Sequence, residues 1–95
     1  MELQLKETGE ILGLRETGTR LRNLIEQALR NNEQILLDFD SVSSVSSSFA
    51  DELIAKLFVS IGSEEFAKNV KLKNANEFVK TVINMSIKDR LQSKN

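Results

Sequence analysis

Between Leu37 and Leu53 the chain reads Leu-Asp-Phe-Asp-Ser-Val-Ser-Ser-Val-Ser-Ser-Ser-Phe-Ala-Asp-Glu-Leu, and six of the eight residues from Ser41 to Ser48 are serine. Hydroxyls at that density, just ahead of a helical pattern, can cap the helix, accept a phosphoryl group, or help its unpaired N–H groups hold an anion. Ser46, Ser47 and Ser48 are the candidates. Ser47 or Ser48 fits the cap, and Ser48-x-x-Asp51 resembles a capping box, a device worth about 1 kcal/mol. A phosphate of about −1.5 to −2 charge near the helix start would be favoured by the helix dipole, typically by a few tenths to about 1 kcal/mol. Asp40, Asp51 and Glu52 would repel it. Solvent screens that repulsion in an exposed loop, whereas a docked partner would feel the added charge strongly, and this asymmetry suits a switch.

A second polar group lies upstream, at Arg15, Thr17, Gly18 and Arg22. With Arg15 just before the first helix and Arg22 one turn in, both guanidiniums would face the carboxyl end of the first strand, beside the serines. Two guanidiniums there would accept a phosphate or a partner's carboxylate. The plainer alternative pairs them with Glu16, Glu26 or Asp38. Gly18 reads as a backbone requirement, for close packing or a positive φ.

Other chemistry is scarce. The chain has no cysteine, histidine, tyrosine, tryptophan or proline, so it offers no thiolate, no imidazole base and no soft metal ligand. A serine nucleophile would need a lysine or carboxylate base, and Lys56 lies roughly two turns from Ser48 at about 1.5 Å per residue. The residues therefore point to a non-catalytic protein without metal or cofactor. Thirteen Lys and Arg against 14 Asp and Glu leave a net charge of −1, and aromatics make up only 5%, so nothing concentrates on nucleic acid. Lys68, Lys71, Lys73, Lys80, Lys88 and Lys94 are spread over different elements and read as solvated surface. Phe39, Phe49, Phe58, Phe66 and Phe78 fall on apolar stripes or at their ends and read as core, with Met85 as a gap filler.

Elements that would position these groups follow from hydrophobic spacing. Leu3 and Leu5 alternate with polar neighbours, a strand with one buried face. Residues 8–19 carry three glycines and read as a loop that tucks Ile11, Leu12 and Leu14 onto the core. From about Thr19, Leu21, Leu24, Ile25, Ala28 and Leu29 recur at helical spacing as far as Asn31-Asn32. Ile35 to Phe39 is a short apolar run of the kind found in central strands. A second helix is expected over about Ser48 to Ile61, closed by Gly62, then a third strand at Val70 to Lys73 and a third helix carrying Phe78, Val79, Val82, Ile83, Ile87 and Leu91. Residues 92–95 are polar and expected to fray.

Strand and helix thus alternate three times, which predicts an α/β fold: one small domain over residues 1–95, about three to four strands in a largely parallel sheet and about three helices covering it. Ninety-five residues allow one modest core and no second domain. The N-terminus does not read as a signal peptide, and no apolar run approaches the roughly 20 residues that span a bilayer, so a soluble, cytoplasmic protein without membrane insertion is expected. An open sheet edge leaves room for a homodimer.

The run from Ile35 to Leu53, together with Gly13-Leu-Arg-Glu-Thr-Gly-x-x-Leu-Arg, resembles the bacterial STAS-like domain family of unknown function. That family carries a Leu-Asp-Phe-x-x-Val strand and turn, a Ser-Phe-Ala-Asp-Glu helix start and an upstream Arg-x-x-Gly-x-x-x-Arg, and the segments Gly62 to Phe66 and Val70 to Asn74 follow its layout. It is similar, at a distance, to the STAS domains of anti-sigma factor antagonists, where a serine at the helix start is phosphorylated by a histidine-kinase-like ATPase and the complex breaks. By that resemblance Ser47 falls on the phosphorylated serine, Ser46 stands where those proteins have aspartate, and Phe49 stands where they have glycine. The resemblance implies a regulatory, protein-binding module whose partner is another protein, such as an ATPase of that kind, with Ser47, flanked by Ser46 and Ser48, as its switch. Arg15, Thr17, Gly18, Arg22, Asp38, Asp40, Phe49, Asp51 and Glu52 are the expected partner- or anion-binding residues. A small-molecule or nucleotide sensor using the same loop as an anion pocket, and a structural or oligomerisation module, are the alternatives.

Overall fold

The computed structural model describes residues 1–93. The chain opens with strand β1 (Glu2–Gln4) and a 3-10 turn over Leu5–Glu7 that buries Leu5. Strand β2 (Ile11–Leu12), helix α1 (Arg15–Arg30), strand β3 (Ile35–Asp38) and strand β4 (Ser44–Val45) follow. Helix α2 (Ser47–Ala50) runs without a break through a π-helical stretch, Asp51–Ala55, into α3 (Lys56–Ile61), so that one helical rod carries the whole segment. Helix α4 (Ser63–Asn69), strand β5 (Val70–Lys73) and helix α5 (Glu77–Gln92) complete the described chain.

The main sheet has the order β1-β3-β5 with both pairings parallel, so the apolar run at Ile35 is the central strand. Its register explains the face it presents. Leu3, Leu37 and Leu72 are aligned across the three strands, and so are Glu2, Leu36 and Lys71. Because successive side chains of a strand point to opposite faces, one face is apolar and the other mixed and polar. The apolar face meets Ile25 from α1, Leu53 and Leu57 from the second helical rod and Val79 from α5, all at 0% exposure. The predicted α/β fold with a largely parallel sheet is the observed one.

Several local expectations are corrected. The loop expected through Thr19 contains a strand and the first turn of a helix. Leu12 and Val45 pair in parallel as part of a separate two-stranded sheet, too short to leave a periodic signature. Helix α1 starts at Arg15, and Gly18 sits inside it as a contact point and not as a breaker: a Cβ there would lie 2.9 Å from the Glu52 Cβ and 3.1 Å from the Phe49 carbonyl oxygen. Leu12 reaches the core, but Ile11 and Leu14 are 71% and 65% exposed. Helix α4 leaves no signal in the sequence, since its seven residues bury none of their own and show no stripe; its Phe66 packs against Phe58 in a tilted pair with ring centroids 5.2 Å apart.

Phe78 and Met85 are exposed and belong to no core. The inner stripe of α5 is Val79, Ile83 and Ser86, at i, i+4 and i+7, which turns both neighbours outward. Asn76, whose side chain accepts a hydrogen bond from the Val79 N–H at 2.8 Å, caps that helix. Helix α1 ends as expected, with Asn31 at its C-cap and Asn32 at φ 63°. Of the end expected to fray, Lys94 and Asn95 lie outside the described residues. No helix among the described residues is long and apolar enough to cross a membrane.

Candidate functional site

The serine segment leaves the central strand through a tight turn. Phe39 accepts a hydrogen bond from the Val42 N–H at 3.0 Å, and Ser41 adopts φ 66°, a left-handed conformation that a non-glycine residue takes up only where its surroundings hold it. Asp38, at the end of β3, closes the turn: its Oδ1 accepts from the Asn74 side chain and from the Asp40 N–H, each at 3.0 Å. The Asn74 bond first, then the Asp40 bond, hold the Asp38 carboxyl below its ordinary range. Asp40 is exposed, with Ser41 Oγ at 3.3 Å and Lys6 at 4.0 Å.

The three serines at the helix start have separate situations. Ser46, not Ser47 or Ser48, is the N-cap. Its Oγ accepts from the Phe49 N–H at 3.0 Å and donates to the Gly13 carbonyl at 2.9 Å, which ties the loop before α1 to the start of α2. Ser47, the first residue of α2, is exposed, and Ser48 is half-buried. Asp51 takes no part in a capping box, because its carboxylate is held by arginines. Phe49, 1% exposed, fills the core beneath the helix start. Thr17 is half-buried and shares a small cleft with Ile11, Leu14 and Phe49.

One turn further along, the charged residues converge. Glu52 is 4% exposed and lies in the π-helical stretch, yet its carboxylate is surrounded by donors. Arg15 Nη1 reaches its Oε1 at 2.6 Å and Lys56 Nζ the same oxygen at 2.6 Å, while Thr19 Oγ1 at 2.8 Å and Arg22 Nη1 at 2.9 Å reach Oε2. Arg22 Nη1 also donates to the Glu52 carbonyl oxygen at 2.6 Å. Burial by itself would raise the Glu52 carboxyl, but the bonds from Lys56, Arg15, Thr19 and Arg22 outweigh it and hold the group far below the ordinary carboxylate range. Beside it, Asp51 accepts from Arg90 Nε at 2.9 Å, Arg90 Nη2 at 2.5 Å and Arg15 Nη1 at 3.0 Å. Burial opposes ionisation there too, and the two arginines overcome it and keep Asp51 low. The same contacts raise the arginines, Arg15 chiefly through Glu52 and Arg90 through Asp51.

The structure brings Arg15 and Arg22 together as expected, around a carboxylate of their own chain. Neither pairs with Glu16 or Asp38, and Arg22 keeps a longer contact of 3.8 Å with Glu26. The anion pocket expected of these two arginines is therefore filled from within. Gly18 makes this possible by letting α1 approach the π-helical stretch closely enough for Arg15 and Arg22 to straddle Glu52. Thr19, Lys56 and Arg90 belong to the network, and none of them is among the binding residues expected from the sequence, where Lys56 figures only as a base for a serine nucleophile. The i, i+4 spacing of Glu52 and Lys56 is a legible signal, whereas Arg90 comes from α5 and leaves none. Among the described residues no group of three or more acidic side chains is placed to hold a metal ion. The larger groove, about 560 Å³ between the ends of α1 and of α3 and α4, lies at the opposite end of these helices from the serines.

Comparison with known proteins yields one family, described as a STAS-like domain of unknown function (DUF4325), which matches residues 17–80. No curated protein and no solved structure matches the chain.

Proposed function

From a chain that belongs to the family of STAS-like domains of unknown function, we propose a non-catalytic docking module, with the start of α2 and the neighbouring Ile11 to Leu14 loop as its contact surface and Ser47 as its switch. The partner is another protein, of the histidine-kinase-like ATPase class. The observation that carries this reading is the division of labour among the serines. Ser46 spends its hydroxyl on the Phe49 N–H and the Gly13 carbonyl, while Ser47 stands exposed at the first position of the helix.

Two further observations support it. Ile11 and Leu14 leave apolar surface beside the serines, the kind of patch that marks a contact site on a small domain. The cations nearby are engaged by Glu52 and Asp51, which favours protein docking over an anion-sensing pocket. A phosphate on Ser47 would add about −1.5 to −2 charge to an exposed surface; it alters folding stability little and a docked interface much.

The experiment is incubation with candidate ATPases and ATP, followed by intact-mass analysis and fragmentation. A single added phosphate that maps to Ser47 and is lost in Ser47→Ala is the expected result. A chain that gains no phosphate from any of them, or gains it elsewhere, contradicts the switch.

A further inference from the structure

Ser47 and Asp51 lie one turn apart on the same helix, where the Asp51 N–H donates to the Ser47 carbonyl. Asp51 in turn anchors two arginines from distant elements, and they hold it unequally. Arg90 grips with both Nε and Nη2, at 2.9 and 2.5 Å, whereas Arg15 makes one contact of 3.0 Å with a nitrogen that it also offers to Glu52. Arg15 is also the more exposed of the two, its side chain 48% accessible against 36%.

We propose that a phosphate on Ser47 draws Arg15 away from Asp51 and Glu52, so that the modification is read inside the molecule as an exchange of arginine partners. This rests on the switch reading of Ser47. Side chains four residues apart on a helix have Cβ atoms about 5–6 Å apart, so a guanidinium that already touches Asp51 is within reach of a phosphate one turn below. The phosphate offers three strong acceptor oxygens and more charge than a carboxylate, and the arginine fork can take two of those oxygens at once. Nothing is stranded by the move. Asp51 keeps Arg90, and Glu52 keeps Arg22, Lys56 and Thr19.

The exchange has a consequence at the surface. Arg15 is the first residue of α1, directly after the exposed Leu14, and the Gly13 carbonyl before it is bound to the Ser46 cap. The exchanged Arg15 pairs with the phosphate next to the exposed Leu14, so the modification changes the charge pattern at the apolar edge of the contact surface while the loop backbone stays tied to Ser46.

The test uses the full chain with phosphoserine installed at position 47 during synthesis, so that no kinase enters it. The second ionisation of the phosphate is followed by phosphorus NMR, beside the same phosphorylated chain carrying Arg15→Gln. With Arg15 present, the phosphate is expected to bind its last proton roughly tenfold more weakly than in the variant, the lower end of what an opposite charge at contact produces. The Arg15 Nε–H resonance is expected to move on phosphorylation while that of Arg90 holds still. Equal proton affinity in the two chains, with an unmoved Arg15 resonance, overturns the exchange. Where Arg15→Gln fails to fold, the resonance comparison in the Arg15 chain decides alone: movement supports the exchange and none overturns it. The switch reading fails by a different result, an absence of kinase modification at Ser47, which leaves this measurement untouched.

Discussion

The start of the second helical rod and the stretch one turn further along are both polar, and they use their polarity in opposite ways. At Ser46 and Ser47 the groups are neutral, one hydroxyl making two local bonds and the next facing solvent. At Asp51 and Glu52 the groups are charged, and Glu52, almost wholly buried, takes donors from α1 and from its own helix, while Arg90 of α5 holds Asp51. A buried charge must be surrounded by partners to be tolerated, and so it fixes how the helices sit; an exposed hydroxyl fixes nothing and is free to be modified. The fold thus separates a locked centre from an open rim within two turns of one helix.

Substitution at the locked centre should have the largest effect. Glu52→Ala leaves Arg22 and its companions around an empty site and should cost about 3 kcal/mol, at the lower edge of what removing one partner of a buried ion pair costs, as read by urea unfolding. The same centre sets the response to acid. Glu52 and Asp51 have folded-state values below their unfolded ones, so the unfolded chain binds more protons as pH falls through about 4 to 5, and the stability they contribute, full above that range, is lost toward lower pH. The melting temperature of the native chain should therefore fall between about pH 5 and pH 3 more steeply than that of Glu52→Gln. Equal slopes would mean that the centre is not what acid undoes.

Gly18→Ala tests the contact that brings the arginines to Glu52. Alanine is the better helix former by about 1 kcal/mol, but its Cβ would meet the Glu52 Cβ and the Phe49 carbonyl oxygen, and overpacking of that kind costs about 1–3 kcal/mol. A net loss of about 1 kcal/mol in chemical denaturation is expected, and a gain would show that the helices can part without penalty. Ser46→Ala, on the rim, removes the cap and should lower stability by about 1 kcal/mol. Ser47→Ala should change stability by less than about 0.5 kcal/mol, as a surface substitution away from any fixed contact does.

The same contrast governs what could be read from the sequence. Helix α1 with its end at Asn31 and the two edge strands of the main sheet are legible from alternation or helical spacing of apolar residues, and the central strand from its continuous apolar run. Arg15 and Arg22 are legible as a pair of neighbouring cations, but not the carboxylate they share, because Glu52 comes from a helix 30 or more positions away. The sequence does not single out Ser46 as the cap over Ser47 or Ser48, since a run of three serines gives equal local propensity at each and only the Gly13 carbonyl selects Ser46. The first turn of α1, Arg15 to Gly18, reads as loop because glycine weakens a helix, and the close approach that makes Gly18 necessary is a tertiary fact. Arg90 reaches Asp51 across 39 positions of chain, and no local pattern predicts such a pair. The outward turn of Phe78 and Met85 likewise depends on where Val79 meets the core, a phase that composition does not set.

The most direct test of the open rim is retention of a partner by three chains in parallel: the native protein, Ser47→Ala and Ser47→Asp, each immobilised in a lysate from its own source and read by mass spectrometry. The account predicts one ATPase held equally by the native chain and Ser47→Ala and released by Ser47→Asp, with all three chains equally folded by circular dichroism. Equal retention of the same partners by all three would contradict it.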